Sequence, residues 1–192
     1  MMTVVGGKIE LGKSKIFEIL KFFSEPILKS FIDNNERKKA CYIKNLRRKK
    51  IKGRAILFES YHGVNFTGNA YALFKYVVEN SLNYKCYIAI KDEKDPMIEW
   101  IKKTYSSKNI EIVQYQSKKY LNILATAKYL VNDTTFLPYF NKRKEQIYLN
   151  TWHGTPLKKL GKDIKNSNFT DNKNVQKNLL SADKIALSND FT

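Results

Sequence analysis

From residue 55 onward the apolar residues alternate between two spacings. Ala55-Ile56-Leu57-Phe58-Glu59-Ser60 is a short apolar run closing in polar residues, and 69–80 repeats Tyr71, Leu73, Phe74, Tyr76, Val77 and Val78 at helical spacing. Lys85-Cys86-Tyr87-Ile88-Ala89-Ile90 reads as the next strand, 96–105 as a helix opened by Pro96, and Ile110-Glu111-Ile112-Val113-Gln114 as a third strand. A helix over 117–127 with Ser117 as N-cap leads to a fourth strand at 128–133, and 146–151 makes a fifth. Strands separated by helices of about ten residues build right-handed βαβ units, hence a parallel sheet covered on both faces. The predicted fold class over 55–192 is therefore α/β, a Rossmann-like parallel sheet with helices on both faces.

The first 54 residues have another character. Ile16, Phe17, Leu20, Phe22, Phe23, Ile27, Leu28, Phe31 and Ile32 recur at helical spacing, with Pro26 expected to break or kink the pattern. From Arg37 to Arg54 there are ten Lys or Arg and no acidic residue. An aromatic-rich amphipathic helix followed by a polybasic stretch is what an interfacial anchor on an anionic membrane surface needs, each basic residue near that surface contributing about 1 kcal/mol. The alternative is a helix packed on its own domain followed by a solvated basic linker. The expected organisation is a membrane-associating segment at 1–54 and a Rossmann-like domain at 55–192.

Composition narrows the partners. Thirty-five Lys and Arg against 18 Asp and Glu leave a net charge of +17, which calls for partners bearing negative charge. A nucleic-acid module would interleave aromatics with its basic run, whereas only Tyr42 stands between Arg37 and Arg54, so no nucleic acid is expected. Cys41 and Cys86 form neither a disulfide framework nor a zinc spacing, which suits a reducing cytoplasm. No apolar run approaches the roughly 18 residues of a spanning helix, and the start lacks the apolar stretch of a secretory signal. The expected location is peripheral, on the cytoplasmic face of the membrane. Glycine-rich dinucleotide and phosphate-loop patterns, an Asp-x-Asp pair and a G-x-S-x-G elbow are all missing, so neither a cofactor nor a metal is called for.

Parallel sheets of this kind bind ligands beyond the carboxyl ends of their strands. There lie Glu59, Ser60, His62 and Gly63 after the first strand, Asp133 and Thr134 after the fourth, and His153, Gly154 and Thr155 after the fifth. Turn residues end strands in any protein, so this clustering alone decides little. The run Thr151-Trp152-His153-Gly154-Thr155-Pro156-Leu157-Lys158-Lys159-Leu160-Gly161 is denser in chemistry. Gly154 lets the backbone bend or approach a ligand, Pro156 presets φ, and Lys158 and Lys159 set two cations beside an imidazole. One reading is a base beside an anion site. The other makes Trp152 a core anchor and His153 a hydrogen-bonded turn residue.

That run, continued by Lys162-Asp163-Ile164, resembles the signature of the CDP-glycerol glycerophosphotransferases, the teichoic acid primases and polymerases of bacterial walls. Phe58-Glu59-Ser60 with Gly63 and Asn69 resembles their first-strand motif, and Leu124-Ala125-Thr126-Ala127-Lys128-Tyr129 with Asp133 the segment leading to the histidine. Order and spacing agree from residue 55 to about 190. The chain departs from the family at Gly68 and Ala70, where an Asp-Asn-Pro sequence usually surrounds the asparagine, and at His62, which is not a usual family residue.

The resemblance implies the N-terminal, acceptor-side half of a GT-B fold, with CDP-glycerol held mostly by a C-terminal half beyond Thr192. It implies His153 as catalytic base and Gly154, Thr155, Lys158, Lys159, Glu59, Ser60 and Asp133 as substrate-binding residues. The implied reaction moves glycerol phosphate from CDP-glycerol to an undecaprenyl-diphosphate-linked acceptor and releases CMP. The alternative is a non-catalytic acceptor-binding or membrane-docking half, completed by a separate C-terminal partner or by a second copy of the chain.

Overall fold

The structure, a computed structural model, describes residues 3–5, 8–10, 13–106, 108–154 and 169–187. The chain divides into two compact units, Met1–Cys41 and Tyr42–Thr192. In the first, strands β1 (Thr3–Val5) and β2 (Lys8–Glu10) pair antiparallel ahead of helix α1 (Lys13–Ile32). α1 runs unbroken through Pro26, contrary to the expected interruption there. A proline removes one backbone donor, and the helix-compatible residues around it carry the helix on. The break falls at Asp33 instead, whose carboxylate accepts the Asn35 N–H at 2.7 Å and so starts helix α2 (Asn34–Arg48). Phe17, Leu20, Phe22, Phe23, Phe31 and Ile32 are exposed along α1. No described helix is long and apolar enough to cross a membrane.

Much of the basic run is helix and not linker. α2 carries Lys38, Lys39, Lys44, Arg47 and Arg48, and its later turns belong to the second unit. Tyr42, fully buried, donates its hydroxyl to the Asn141 carbonyl at 2.9 Å and accepts the Asn141 N–H at 3.1 Å. Burial pushes its phenol up to about 12. The boundary between units therefore falls inside α2, whereas composition changes only after Arg54.

The second unit is a six-stranded sheet in the order β5-β4-β3-β6-β7-β8, all parallel. Its strands are β3 (Lys52–Glu59), β4 (Lys85–Ile90), β5 (Ile110–Gln114), β6 (Ala127–Asn132), β7 (Ile147–Asn150) and β8 (Lys184–Ile185). Helices α3 (Gly68–Glu79), α4 (Pro96–Thr104), α5 (Lys118–Thr126) and α6 (Phe169–Ser181) connect or follow them. The five strands and three helices expected from spacing are present within one to three residues, with Ser117 accepting the Tyr120 N–H at 3.1 Å as the predicted cap. β8 went unread because two residues are too short for any periodicity.

β3 shows how the layers form. Ile56 and Phe58 face a cluster with Phe66, Ala70, Phe74, Ile98 and Ile101, contributed by the β3–α3 connection and by α3 and α4. The intervening residues point to the opposite face, where Glu59 meets Tyr120 of α5. The chain steps outward from β3 to β4 to β5, then α5 returns it to the far side of β3 as β6. That reversal opens a crevice beyond the carboxyl ends of β3 and β6, where doubly wound sheets place ligands.

Candidate active site

Four chain segments converge at the reversal. β3 ends in Glu59 and Ser60, β6 in Asn132 and Asp133, β7 in Asn150 and Thr151, and the N-terminal turn of α3 brings Asn69. Asn132 and Asn150 lie in register across β6 and β7. Asn132 accepts the Thr134 N–H at 2.5 Å and Asn150 accepts the Trp152 N–H at 2.8 Å, so each side chain turns its chain sharply out of the sheet. Asn150 also donates to the Thr134 carbonyl at 2.9 Å, and Asn69 donates to the Thr151 carbonyl at 3.2 Å. The loop carrying the histidine is thus tied from both sides.

Asp133 is the centre of this network. One carboxylate oxygen accepts the Ser60 hydroxyl at 2.5 Å and the other the Tyr61 N–H at 2.9 Å. These bonds hold the start of a turn in which Tyr61, His62 and Gly63 all have positive φ (44°, 54° and 72°). Two such non-glycine residues in succession are strained, and persist only where surrounding bonds over-determine them. The Asp133 carbonyl meets His153 Nδ1 at 2.8 Å. A carbonyl only accepts, so Nδ1 carries a proton, and in the neutral ring the lone pair is on Nε2. The ring is exposed, stacks on Trp152 at 4.5 Å between centroids, and stands 6.1 Å from the Tyr61 ring. Gly154 follows at φ 138°, a conformation that side chains disfavour.

Three residues expected to touch substrate are interior instead. Glu59 and Ser60 are fully buried and Asp133 is 2% exposed, with their oxygens engaged by neighbours. Thr155, Lys158 and Lys159 lie outside the described residues. Asn132, Asn150 and Tyr120 were not singled out from sequence, although an asparagine ending two successive apolar runs was a readable signal. No group of three or more His, Cys, Asp or Glu that could hold a metal occurs among the described residues.

Glu59 accepts the Tyr120 hydroxyl at 2.5 Å and the Asn132 amide at 3.2 Å. Burial outweighs these bonds and, with the Asp133 charge adding, pushes the carboxyl from 4.5 up to about 8. The folded protein thus keeps a proton that the unfolded chain releases near its ordinary value. This contribution to stability is complete below about 4.5 and is lost as pH rises through about 8, with a slope of at most about 1.4 kcal/mol per pH unit, the value for one proton. In Glu59→Gln this decline should disappear, which denaturant unfolding across that pH range measures. An unchanged pH profile would show that Glu59 is ionised in the fold.

A parallel sheet whose strand order reverses between β3 and β6 defines a Rossmann-like domain. The family model described as CDP-glycerol:poly(glycerophosphate) glycerophosphotransferase matches residues 41–192, and the chain belongs to this family. The teichoic acid poly(glycerol phosphate) polymerase of Bacillus subtilis (strain 168) is 28% identical over 182 residues, covering 94% of this chain and 22% of that protein. The teichoic acid glycerol-phosphate transferase of Staphylococcus aureus (strain NCTC 8325) is 34% identical over 116 residues, 58% of this chain and 26% of that one. The chain therefore spans about a quarter of the length of these relatives. Among solved structures, the wall teichoic acid polymerase TagF superposes with a TM-score of 0.69 at 21% identity, over 92% of this chain and 41% of that one. A histidine-to-asparagine variant of TagF soaked with CDPG gives the same TM-score at 20% identity, over 92% of this chain and 42% of that one. The fold is thus that of one half of a GT-B architecture.

Proposed function

We propose that this chain is the acceptor-side part of a transferase that moves glycerol phosphate from CDP-glycerol to a lipid-linked teichoic acid or related cell-surface polymer. The observation that carries the reading is His153: its Nδ1 proton is committed to the Asp133 carbonyl, leaving Nε2 as a proton acceptor at the crevice. A primary hydroxyl is a poor nucleophile at neutral pH, and an imidazole is the side chain that most often removes such a proton. The acceptor oxygen attacks the β-phosphorus of CDP-glycerol as its proton passes to Nε2. The anhydride P–O bond breaks, CMP leaves, and a phosphodiester remains. Lys158, Lys159, Thr155 and the backbone around Gly154 would neutralise the diphosphate, while a second domain supplies most of the donor site.

CMP release from CDP-glycerol, measured with a glycerol-phosphate acceptor, tests this reading. The assay uses the chain alone and the chain supplemented with a C-terminal family domain. Release by the supplemented protein supports the reading. Silence in both arms overturns it in favour of a non-catalytic acceptor-binding or docking half.

The segment 1–54 fits a peripheral membrane attachment on the cytoplasmic face, where such a lipid-linked acceptor would be reached. Support comes from the exposed apolar residues of α1 and the cations of α2. The full-length chain is expected to sediment with vesicles rich in phosphatidylglycerol and to be released by high salt. Substituting Phe17, Phe22 and Phe23 together with serine should abolish sedimentation. Equal sedimentation of that variant, or salt-insensitive binding to phosphatidylcholine alone, would contradict the attachment.

A further inference from the structure

Beside the His153 crevice lies a cavity of about 380 Å³, walled by His62, Tyr115, Gln116, Thr135, Asn174 and the apolar run Phe136 to Pro138. That volume is in the range of small-ligand sites, about 300–1,000 Å³. Two of its polar wall residues, His62 (φ 54°) and Gln116 (φ 60°), are non-glycine residues in left-handed conformation. Such strain is held here by specific contacts. Gly63 packs so closely that a Cβ on it would meet Tyr115 at 3.0 Å, and its carbonyl accepts the Lys91 N–H at 2.6 Å. The loop is thereby pressed against Tyr115 with His62 in the wall.

The lining also indicates what it would hold. The His62 ring lines the wall together with Thr135, and a neutral imidazole offers one N–H donor and one acceptor nitrogen. Burial, with Lys91 adding, holds the imidazole below its usual basicity, which favours that neutral form. An acceptor nitrogen takes an O–H and not a phosphate oxygen. Thr135 adds a hydroxyl, Gln116 an amide and Tyr115 an aromatic wall, while the Lys91 ammonium stands 5.4 Å from the Tyr115 ring centroid at the same edge. We propose that this cavity is a subsite for one polyol unit of the acceptor chain, with the hydroxyls against His62 and Thr135 and the adjoining phosphodiester toward Lys91. The inference rests on the acceptor-side reading above. It also gives a use to His62, a departure from the family pattern, as a specificity-determining residue.

The chain has only two histidines, so each imidazole can be followed by its ring C–H signals in the NMR spectrum of the full-length chain. Titration with glycerophosphoglycerol, two glycerols joined by one phosphodiester, should shift the His62 signals saturably. Inorganic phosphate at equal concentration should leave them in place. Gln116→Ala should weaken the response by about tenfold. Val175→Trp, which fills the cavity from α6, should abolish it while the His153 signals stay native. A His62 response absent in the unmodified chain, reproduced by inorganic phosphate, or surviving Val175→Trp would overturn the proposal. No donor and no turnover enter this measurement, so a failed CMP assay leaves it unaffected, and a silent His62 leaves the CMP assay standing.

Discussion

His153→Ala is expected to lower turnover by roughly two to four orders of magnitude, the usual contribution of a positioned general base. The expected split is in kcat, because in the proposed mechanism the imidazole acts as the hydroxyl attacks and not as the donor binds. CDP-glycerol affinity, read by calorimetry on the complete enzyme, should change little. The melting temperature should also stay close to normal. The ring is exposed and contributes one hydrogen bond to the Asp133 carbonyl, worth about 1 kcal/mol. Near-normal turnover with a normal melting temperature would return this histidine to an ordinary turn residue and remove the mechanism.

Asp133→Ala should cost about 3 kcal/mol, which lowers the melting temperature by roughly 6–12 °C in a chain of this size. The carboxylate accepts two charge-assisted bonds, from the Ser60 hydroxyl and the Tyr61 N–H, and those bonds hold the strained turn at 61–63. Asp133→Asn retains an acceptor for the Tyr61 N–H and should lose less than half as much. Activity should fall with Asp133→Ala as well, since the Tyr61 ring lies 6.1 Å from His153 and the 133 carbonyl orients that imidazole. Differential scanning calorimetry of both variants checks this. A loss under about 1 kcal/mol for the alanine variant would mean that the turn is held elsewhere.

The carboxylates illustrate how sequence and structure divide the work. Glu59, Ser60 and Asp133 were legible as residues at strand ends, because strand period and turn chemistry are local properties. Their burial was not legible. It follows from β6 lying beside β3 instead of beside β5, a pairing across more than seventy residues that no local pattern encodes. With the strands so ordered, three polar residues at strand ends lie buried and bonded to their neighbours. Asn132 and Asn150 escaped notice for the same reason. Each is unremarkable alone, and their register across neighbouring strands gives them a common task.

Along α1 and α2 the division is similar. The helical spacing of Phe17, Leu20, Phe23 and Phe31 was plain from sequence, and so was the excess of cations after Arg37. That the chain turns at Asp33 and not at Pro26, and that Tyr42 ties the basic helix into the second unit, depends on a cap bond and on the Asn141 backbone about a hundred residues away. By itself the sequence determined the α/β class, most element bounds, the family and the candidate base, all carried by periodicity or by contiguous residues. Tertiary structure alone decided the strand order, the proton on His153 Nδ1 and the cavity around His62, because each depends on groups brought together from separate strands.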